Sequence, residues 1–303
     1  MPPIRLATLM TCHNRCSVTL KCLECLHGQI FRECTVLDVF LVDDGCTDDT
    51  AHLVRTRFPK VTILNGNGSL FWCGGMRLAF SEAVKAGYDY YLWLNDDTVL
   101  FPNAVQTLLS TAEAMRGESG IEAIVVGTMQ DPRTGCKTYG GVARPCRWRP
   151  LNFAPVASAD RPRPCDTMHG NCVLIPRAVP DEIGIIGNFR HHLGDYDYGL
   201  RATKAGFGCF VAPGFAGECG WGPRPARHTD PHIPLRERIR FMCSPKGYPP
   251  KDWLCFVRAH TGWAWPYYFL KPWWPVLFPQ LPLLRRTAGA ALRRIRSSFS
   301  ATG

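Results

Sequence analysis

The chain reads as an α/β protein built on a mainly parallel central sheet. Strand-like and helix-like segments alternate through its first half, an order that puts helices on both faces of such a sheet. The apolar run Tyr90–Leu94 stops abruptly at Asn95-Asp96-Asp97, as a buried strand does when it reaches a polar sheet edge. With 303 residues, 46% hydrophobic and 20% charged, the composition is that of an ordinary globular protein able to bury a sizeable core.

The elements follow in order. Ile4–Met10 reads as a strand and Arg15–His27 as a helix. Val36–Val42 is a strand ending at Asp43-Asp44-Gly45, and Asp48–Phe58 is a helix whose start Thr47, Asp48 and Asp49 can cap. Val61–Leu64 is a strand, Gly74–Ala86 a helix and Tyr90–Leu94 a strand. Pro102–Met115 is a helix with proline in its first turn, followed by the strand Ile121–Met129. Asp131–Asp166, rich in Pro, Arg and Gly, suggests a hairpin at Thr134-Gly135 and then an irregular loop. Met168–Ile175 is a strand, Asp195–Ala205 a helix, Phe207–Ala212 a strand and Leu235–Met242 a helix. Right-handed crossovers then place all strand C-termini on one edge, gathering Thr11–Asn14, Asp43–Asp44 and Asp96–Asp97 there. Two domains are expected, residues 1–245 and an aromatic, basic tail over 246–303.

The net charge of +10 is largely a property of that tail: from Trp253 to Gly303 there are seven Lys and Arg and no Asp or Glu. This points to an anionic surface at the C-terminus rather than to nucleic acid. Trp263, Trp265, Tyr267, Tyr268, Trp273 and Trp274 interleave with prolines. Leu284, Ala288, Leu292, Ile295 and Phe299 then recur at helical spacing among arginines, the pattern of an interfacial membrane helix or of a packing helix. No run of about 18 or more uncharged apolar residues occurs, so no spanning helix is expected. The start, Met1-Pro2-Pro3-Ile4-Arg5-Leu6, lacks signal-peptide architecture. The fifteen cysteines, including Cys12, Cys16, Cys22 and Cys25, are read as free thiols of a reducing cytosol rather than as zinc ligands.

Adjacent carboxylates repel, so Asp96-Asp97 calls for a cation or a set of donors nearby. Magnesium or manganese shared with substrate phosphates fits, and a plain strand end with a capping Asp is the alternative. Neither a Gly-rich dinucleotide fingerprint nor a P-loop follows the first strand, where Thr11-Cys12-His13-Asn14-Arg15 stands instead. This disfavours a nicotinamide enzyme and makes a metal on Asp96/Asp97 the obvious holder of phosphate.

Four segments carry a resemblance: Thr11–Arg15 with Thr19-Leu20, Leu41–Asp48 around Asp43-Asp44-Gly45, Leu92–Thr98, and Gly194–Arg201 around Asp195. Gly74–Arg77 and His169–Cys172 add to it. In this order they resemble the inverting, nucleotide-sugar-dependent glycosyltransferases of family 2, with the GT-A fold, most closely bacterial members that build surface polysaccharides, including rhamnosyltransferase-like proteins. The resemblance implies that Thr11, Asn14 and Asp44 line the nucleotide pocket, Asp44 accepting from a base N–H. It implies Asp97 as a direct ligand of Mn2+ or Mg2+, with Asp96 toward the ribose or a metal-bound water. It implies Asp195 as catalytic base, with Gly194 where relatives often carry another acid, and a late histidine, His228, as a further metal ligand.

The activity implied is metal-dependent, inverting transfer of a hexosyl or deoxyhexosyl group from a nucleoside-diphosphate sugar to a hydroxyl of a lipid-linked or growing surface glycan. A degenerate nucleotide- or glycan-binding module of the same fold is the alternative. The place implied is the cytoplasm, with the tail offering a peripheral position on the inner face of the membrane.

Overall fold

The computed structural model describes residues 2–146, 148–157, 159–222 and 228–279. The chain divides into two compact units, Met1–Gly222 and Pro223–Gly303, so the boundary expected at 245/246 falls inside the second.

The first unit holds an eight-stranded sheet. Its strands β1 (Ile4–Cys12), β2 (Thr35–Asp43), β3 (Thr62–Asn65) and β4 (Tyr90–Leu94) are joined through helices α1 (Cys16–His27), α2 (Thr50–Arg57) and α3 (Phe71–Ala86). The strands beginning at Arg163, Gly208, Ala123, Cys172, Tyr90, Ile4, Thr35 and Thr62 lie side by side in that order. β1 pairs in parallel with both β2 and β4, and β2 with β3. Ala123–Val126 and Gly208–Val211 are also parallel to each other.

One expectation is corrected. Cys172–Pro176 runs antiparallel to β4 and to Ala123–Val126, and the short strand Arg163–Pro164 is antiparallel to its neighbour. Not every C-terminus meets on one edge. The reversal has a use, because the N-terminal end of Cys172–Pro176 arrives beside the C-terminal end of β4, with Cys172 opposite Leu94.

Strand alternation supplies the two faces. Leu6, Met10, Leu92 and Leu94 belong to a core shared with Leu20, Leu23 and Leu26 of α1, Val54 of α2, and Val105, Leu108 and Leu109 of α4 (Ala104–Ser119). The intervening Tyr91 and Trp93 meet Phe80 of α3, and Trp93 meets Tyr198 of α6 (Gly194–Lys204), the latter pair with ring centroids 5.0 Å apart. Between α4 and α6 lies the short helix α5 (Ala178–Ile183).

The hairpin at Thr134-Gly135 is present: the Asp131 carboxylate accepts from Arg133 N and Thr134 N, and Asp131 N donates to Cys136 O. The loop after it is less irregular than expected, since Gly141–Ala143, Ala154–Pro155 and Thr167–Met168 form a small antiparallel sheet.

The second unit contains α7 (Leu235–Cys243), α8 (Pro250–His260), α9 (Trp265–Leu270) and α10 (Trp274–Leu277). α7 lies where a helix was expected at Leu235–Met242, whereas the other three are hidden in the sequence by prolines. They stand in the first turns of α8, α9 and α10, where a missing N–H costs nothing. The basic amphipathic segment expected over 284–299 lies outside the described residues.

Candidate active site

The site forms where β1, β2 and β4 end. Cys12 stands opposite Asp43 in register, so the two following loops start side by side. Asn14, at a left-handed φ of 51°, turns its Oδ1 to Thr47 N at 2.6 Å and to Asp48 N at 3.3 Å. Asp48 in turn accepts from Cys16 N and Thr50 N, tying the starts of α1 and α2 together.

Asp44 is buried. Its Oδ1 accepts from Gly68 N and Leu70 N, and its Oδ2 from Phe71 N at 3.0 Å. It therefore holds the loop that enters α3, and Oδ2 keeps one acceptor position. Thr11 packs against α3: a Cβ on Gly75 would fall 2.2 Å from Thr11 Oγ1. Gly75 is small because the helix crosses β1 closely at that point.

Asp96 and Asp97 occupy the centre of a turn closed by Thr98 N donating to Asn95 O at 3.2 Å. Arg15 spans both carboxylates, Nη1 to Asp96 Oδ1 at 2.9 Å and Nη2 to Asp97 Oδ2 at 2.6 Å. The Asp96 side chain is only 6% exposed and that of Asp97 31%. Burial pushes the Asp96 carboxyl up to about 7; Arg15 opposes the shift and the Asp97 charge adds to it. Arg15 is itself raised, since the two carboxylates outweigh the lowering effect of its own burial. Below the turn, Cys22 Sγ donates to Asn95 O at 3.3 Å. Cys219 Sγ lies 3.6 Å from Asp97 Oδ1, and burial with that charge pushes its thiol up to about 12.

The antiparallel strand Cys172–Pro176 brings the third carboxylate to this edge. Its approach loop touches the acidic turn directly, with Asn95 N donating to Asn171 O at 3.0 Å. The preceding Gly170 donates its N–H to Asp195 Oδ2 at 3.1 Å, and Tyr196 N donates to Asp195 Oδ1 at 2.9 Å. A second path runs through Trp72, whose Nε1 donates to Asn95 Oδ1 at 2.7 Å. The far edge of its ring covers Gly170 so closely that a Cβ there would fall 2.4 Å from Cη2.

Asp195 sits in the first turn of α6, where backbone N–H groups and the helix dipole favour a carboxylate. Burial nevertheless raises its pKa, against the lowering influence of His169 and of the two N–H donors. Gly194 precedes it because a Cβ there would meet Cys73 Sγ at 2.6 Å, which accounts for the absent second acid. Beside Asp195 stands a group of rings: Tyr196 against His169 and Phe153, and Tyr139 against His169 and Trp221, the last pair 4.4 Å apart.

Asp96, Asp97 and Asp195, distant in sequence, are thus linked through Asn95, Trp72 and the Gly170-Asn171 backbone, while Thr11, Asn14 and Asp44 shape the neighbouring loops. His228 belongs to the second unit, where its ring stacks on Phe241 and burial lowers its pKa. Sequence reasoning gave no role to Arg15 or Cys219. For Arg15 the signal was its place beside Asn14 in the first turn; for Cys219 there was none.

Among the described residues no group of three or more His, Cys, Asp and Glu is arranged to hold a metal. Two adjacent carboxylates, one accessible, still fit a hard cation that takes its remaining ligands from substrate phosphates and water. Arg15 already shows that the pair holds a positive charge.

A family model described as glycosyl transferase family 2 matches residues 8–181. The chain belongs to glycosyl transferase family 2. No curated protein matches this family 2 glycosyltransferase in sequence. Its fold matches solved structures at low identity. A mannosyltransferase of Pyrobaculum calidifontis, in complex with GDP-Man and Mn2+, superposes with a TM-score of 0.53 at 14% identity, covering 99% of this chain and 81% of that one. TarS of S. aureus, residues 1–349, gives 0.50 at 14% identity over 89% of this chain and 72% of that one. Against the longer TarS structure the score is 0.51, and the match covers 44% of that chain. The transferase therefore has the GT-A fold, a large, mostly parallel sheet with flanking helices.

Proposed function

We propose that this family 2 enzyme is a metal-dependent, inverting glycosyltransferase. In this reading it moves a sugar from a nucleoside-diphosphate donor to a hydroxyl of a glycan or lipid-linked acceptor. The observation that carries the reading is the linkage of Asp195 to the Asp96-Asp97 turn through Asn95, Trp72 and Gly170. It sets a candidate base and a candidate leaving-group site on one rigid frame.

Asp97, the more accessible carboxylate, would hold the divalent cation, with Asp96 behind it. When bound, the cation neutralises charge gathering on the departing diphosphate. The solved complex of the mannosyltransferase with GDP-Man and Mn2+ supports a sugar nucleotide and a divalent cation in this role. With a cation held by the pair, Arg15 would be free to meet the diphosphate, for which a guanidinium is a good partner. Asn14 and Asp44 hold the loops of the nucleotide pocket, and Thr11 fixes α3 beside it.

Asp195 takes the proton of the acceptor hydroxyl. Its raised pKa makes it a stronger base than a solvated carboxylate, and the N–H groups of Gly170 and Tyr196 keep it oriented. Single displacement needs one base and no covalent carboxylate, so Gly194, where relatives often carry another acid, leaves the scheme intact. The rings of Tyr139, Tyr196 and Trp221 offer faces for an acceptor sugar. His228 is not needed in this scheme. A site of action at the inner face of the cytoplasmic membrane belongs to the same reading.

The deciding experiment is a thermal-shift screen of sugar nucleotides with and without Mn2+ or Mg2+. A donor that binds only the folded state raises its stability by mass action. One sugar nucleotide should stand out, and only with the cation. Equal shifts in chelator would sink the metal requirement. Product of retained anomeric configuration, read by NMR, would sink the inverting mechanism.

A further inference from the structure

Besides its buried core, the second unit carries a run of exposed apolar side chains. Trp263 is 93% exposed, Tyr267 and Leu270 63% each, Trp274 59%, Leu277 48% and Phe278 47%. Their spacing alternates four and three residues from 263 to 277, the repeat that aligns side chains on one helical face. The backbone there is near-continuously helical. A 3-10 turn at Gly262–Ala264, α9, a second 3-10 turn at Lys271–Trp273 and α10 follow one another directly. Tyr268 and Val276 point inward and are buried. Trp253 Nε1 of α8 donates to the carbonyls of Tyr268 and Phe269, both at 3.2 Å, and pins α9 from the inner side. The outward stripe is therefore held in place by its packing. A surface helix of a water-soluble domain has the opposite pattern, and a run of large apolar side chains facing water marks a docking surface.

We propose that this stripe docks the enzyme onto an anionic lipid bilayer. Charge and composition select this occupant. From Trp253 to Gly303 there is no acidic residue and there are seven basic ones. Two of the cations lie over rings of the same helical run: Arg258 over the Trp265 ring at 4.7 Å and Lys271 over the Tyr268 ring at 5.4 Å. A second copy would bring like charges together, whereas anionic headgroups would complement them. Trp and Tyr are the residues that settle at the headgroup level, apolar body inward and polar edge in water. Even taken together, the helical run Gly262–Leu277 is 16 residues, short of the roughly 20 needed to cross the hydrocarbon core, and it carries Lys271, so the stripe lies along the interface. The proposal goes beyond the transfer reaction and stands without it.

The test uses the full chain with no sugar nucleotide present, so failure of the transferase reading leaves it intact. Sedimentation is measured with vesicles of phosphatidylcholine alone and with about 30% phosphatidylglycerol, at low and high salt. The wild type should pellet with the anionic vesicles, less with the neutral ones, and less as salt rises. The triple variant Tyr267→Ser, Leu270→Ser, Trp274→Ser should lose partitioning by about tenfold or more, because the interfacial contact scales with buried apolar area. Its melting temperature should stay unchanged, since these side chains are exposed. Absence of wild-type binding to anionic vesicles would overturn the proposal, as would equal binding by the triple variant. A wild-type dimer that the triple variant converts to monomer, without vesicle binding, would assign the stripe to a second copy instead.

Discussion

Arg15 Nη2 lies 2.6 Å from Asp97 Oδ2, and the other arm of the same guanidinium reaches Asp96. The acidic turn is thus partly balanced by a side chain on the oxygens that, in the proposed function, would meet the cation. In that reading a cation and Arg15 would compete for the same oxygens. Arg15→Gln should raise the affinity of the donor-free enzyme for Mn2+ by about tenfold or more, the scale on which a charge at this range shifts a neighbouring ionic equilibrium. Free Mn2+ measured by electron paramagnetic resonance reads this directly. Unchanged or weaker binding would show that the arginine does not guard the site.

Asp195→Asn removes the proposed base while keeping its shape. The expected result is a kcat lower by about 10²–10⁴-fold, the usual worth of a positioned general base. Donor affinity should stay within a few-fold, because the proposed nucleotide pocket is built from other residues. In the wild type, kcat/KM should climb with pH through the raised pKa of this carboxyl, since only the ionised form accepts a proton. A variant with near-normal turnover would move the base elsewhere.

Gly170→Ala tests the frame between the two carboxylate sites. The new Cβ would fall 2.4 Å from the Trp72 ring, which is held by its bond to Asn95. Overpacking of this kind costs about 1–3 kcal/mol. The melting temperature should drop by several degrees and turnover should fall with it. An unchanged melting temperature would mean that Trp72 can move freely.

Asp96→Asn should stabilise the protein, by an amount that grows as pH rises from about 4 to about 7 and is greatest above neutral pH. The folded pKa of about 7 exceeds the unfolded value of about 3.9, so between these the folded state holds more protons. Stability contributed by the protonated carboxyl is present below about pH 4 and lost as pH rises through about 7. The neutral amide avoids that loss, by at most about 4 kcal/mol at pH 8. Melting curves in chelator at pH 4.5 and pH 8 should show a small difference at the first and a higher melting temperature for the variant at the second. The reverse order would contradict the burial of Asp96.

Much of the first unit was legible because its signals are local. Tyr90–Leu94 has the predicted bounds, since an apolar run ended by Asn95-Asp96-Asp97 permits little else. The helix entered at Gly74 in the sequence reading begins earlier, at Phe71, because Asp44 accepts N–H groups from the loop ahead of it. That partner is more than twenty residues away and leaves no trace in the local pattern. In the second unit the helix expected at Leu235–Met242 is present, whereas α8, α9 and α10 were missed for a different reason: proline reads as a breaker in a chain, yet it is welcome in a first turn.

By itself, the sequence determined the α/β alternation, the strand ends that bear Asp44, Asp96 and Asp97, and the family to which the chain belongs. These rest on side-chain periodicity and on short motifs, which neighbouring residues decide. The tertiary structure alone decided that Cys172–Pro176 runs antiparallel beside β4 and so carries the Gly170-Asn171 loop to the acidic turn, joining Asp195 to Asp96 and Asp97. It also decided that Arg15 spans the pair and that the Trp263–Phe278 stripe faces outward. Strand direction, ion pairing and exposure depend on residues far apart in sequence, and only the folded chain brings those together.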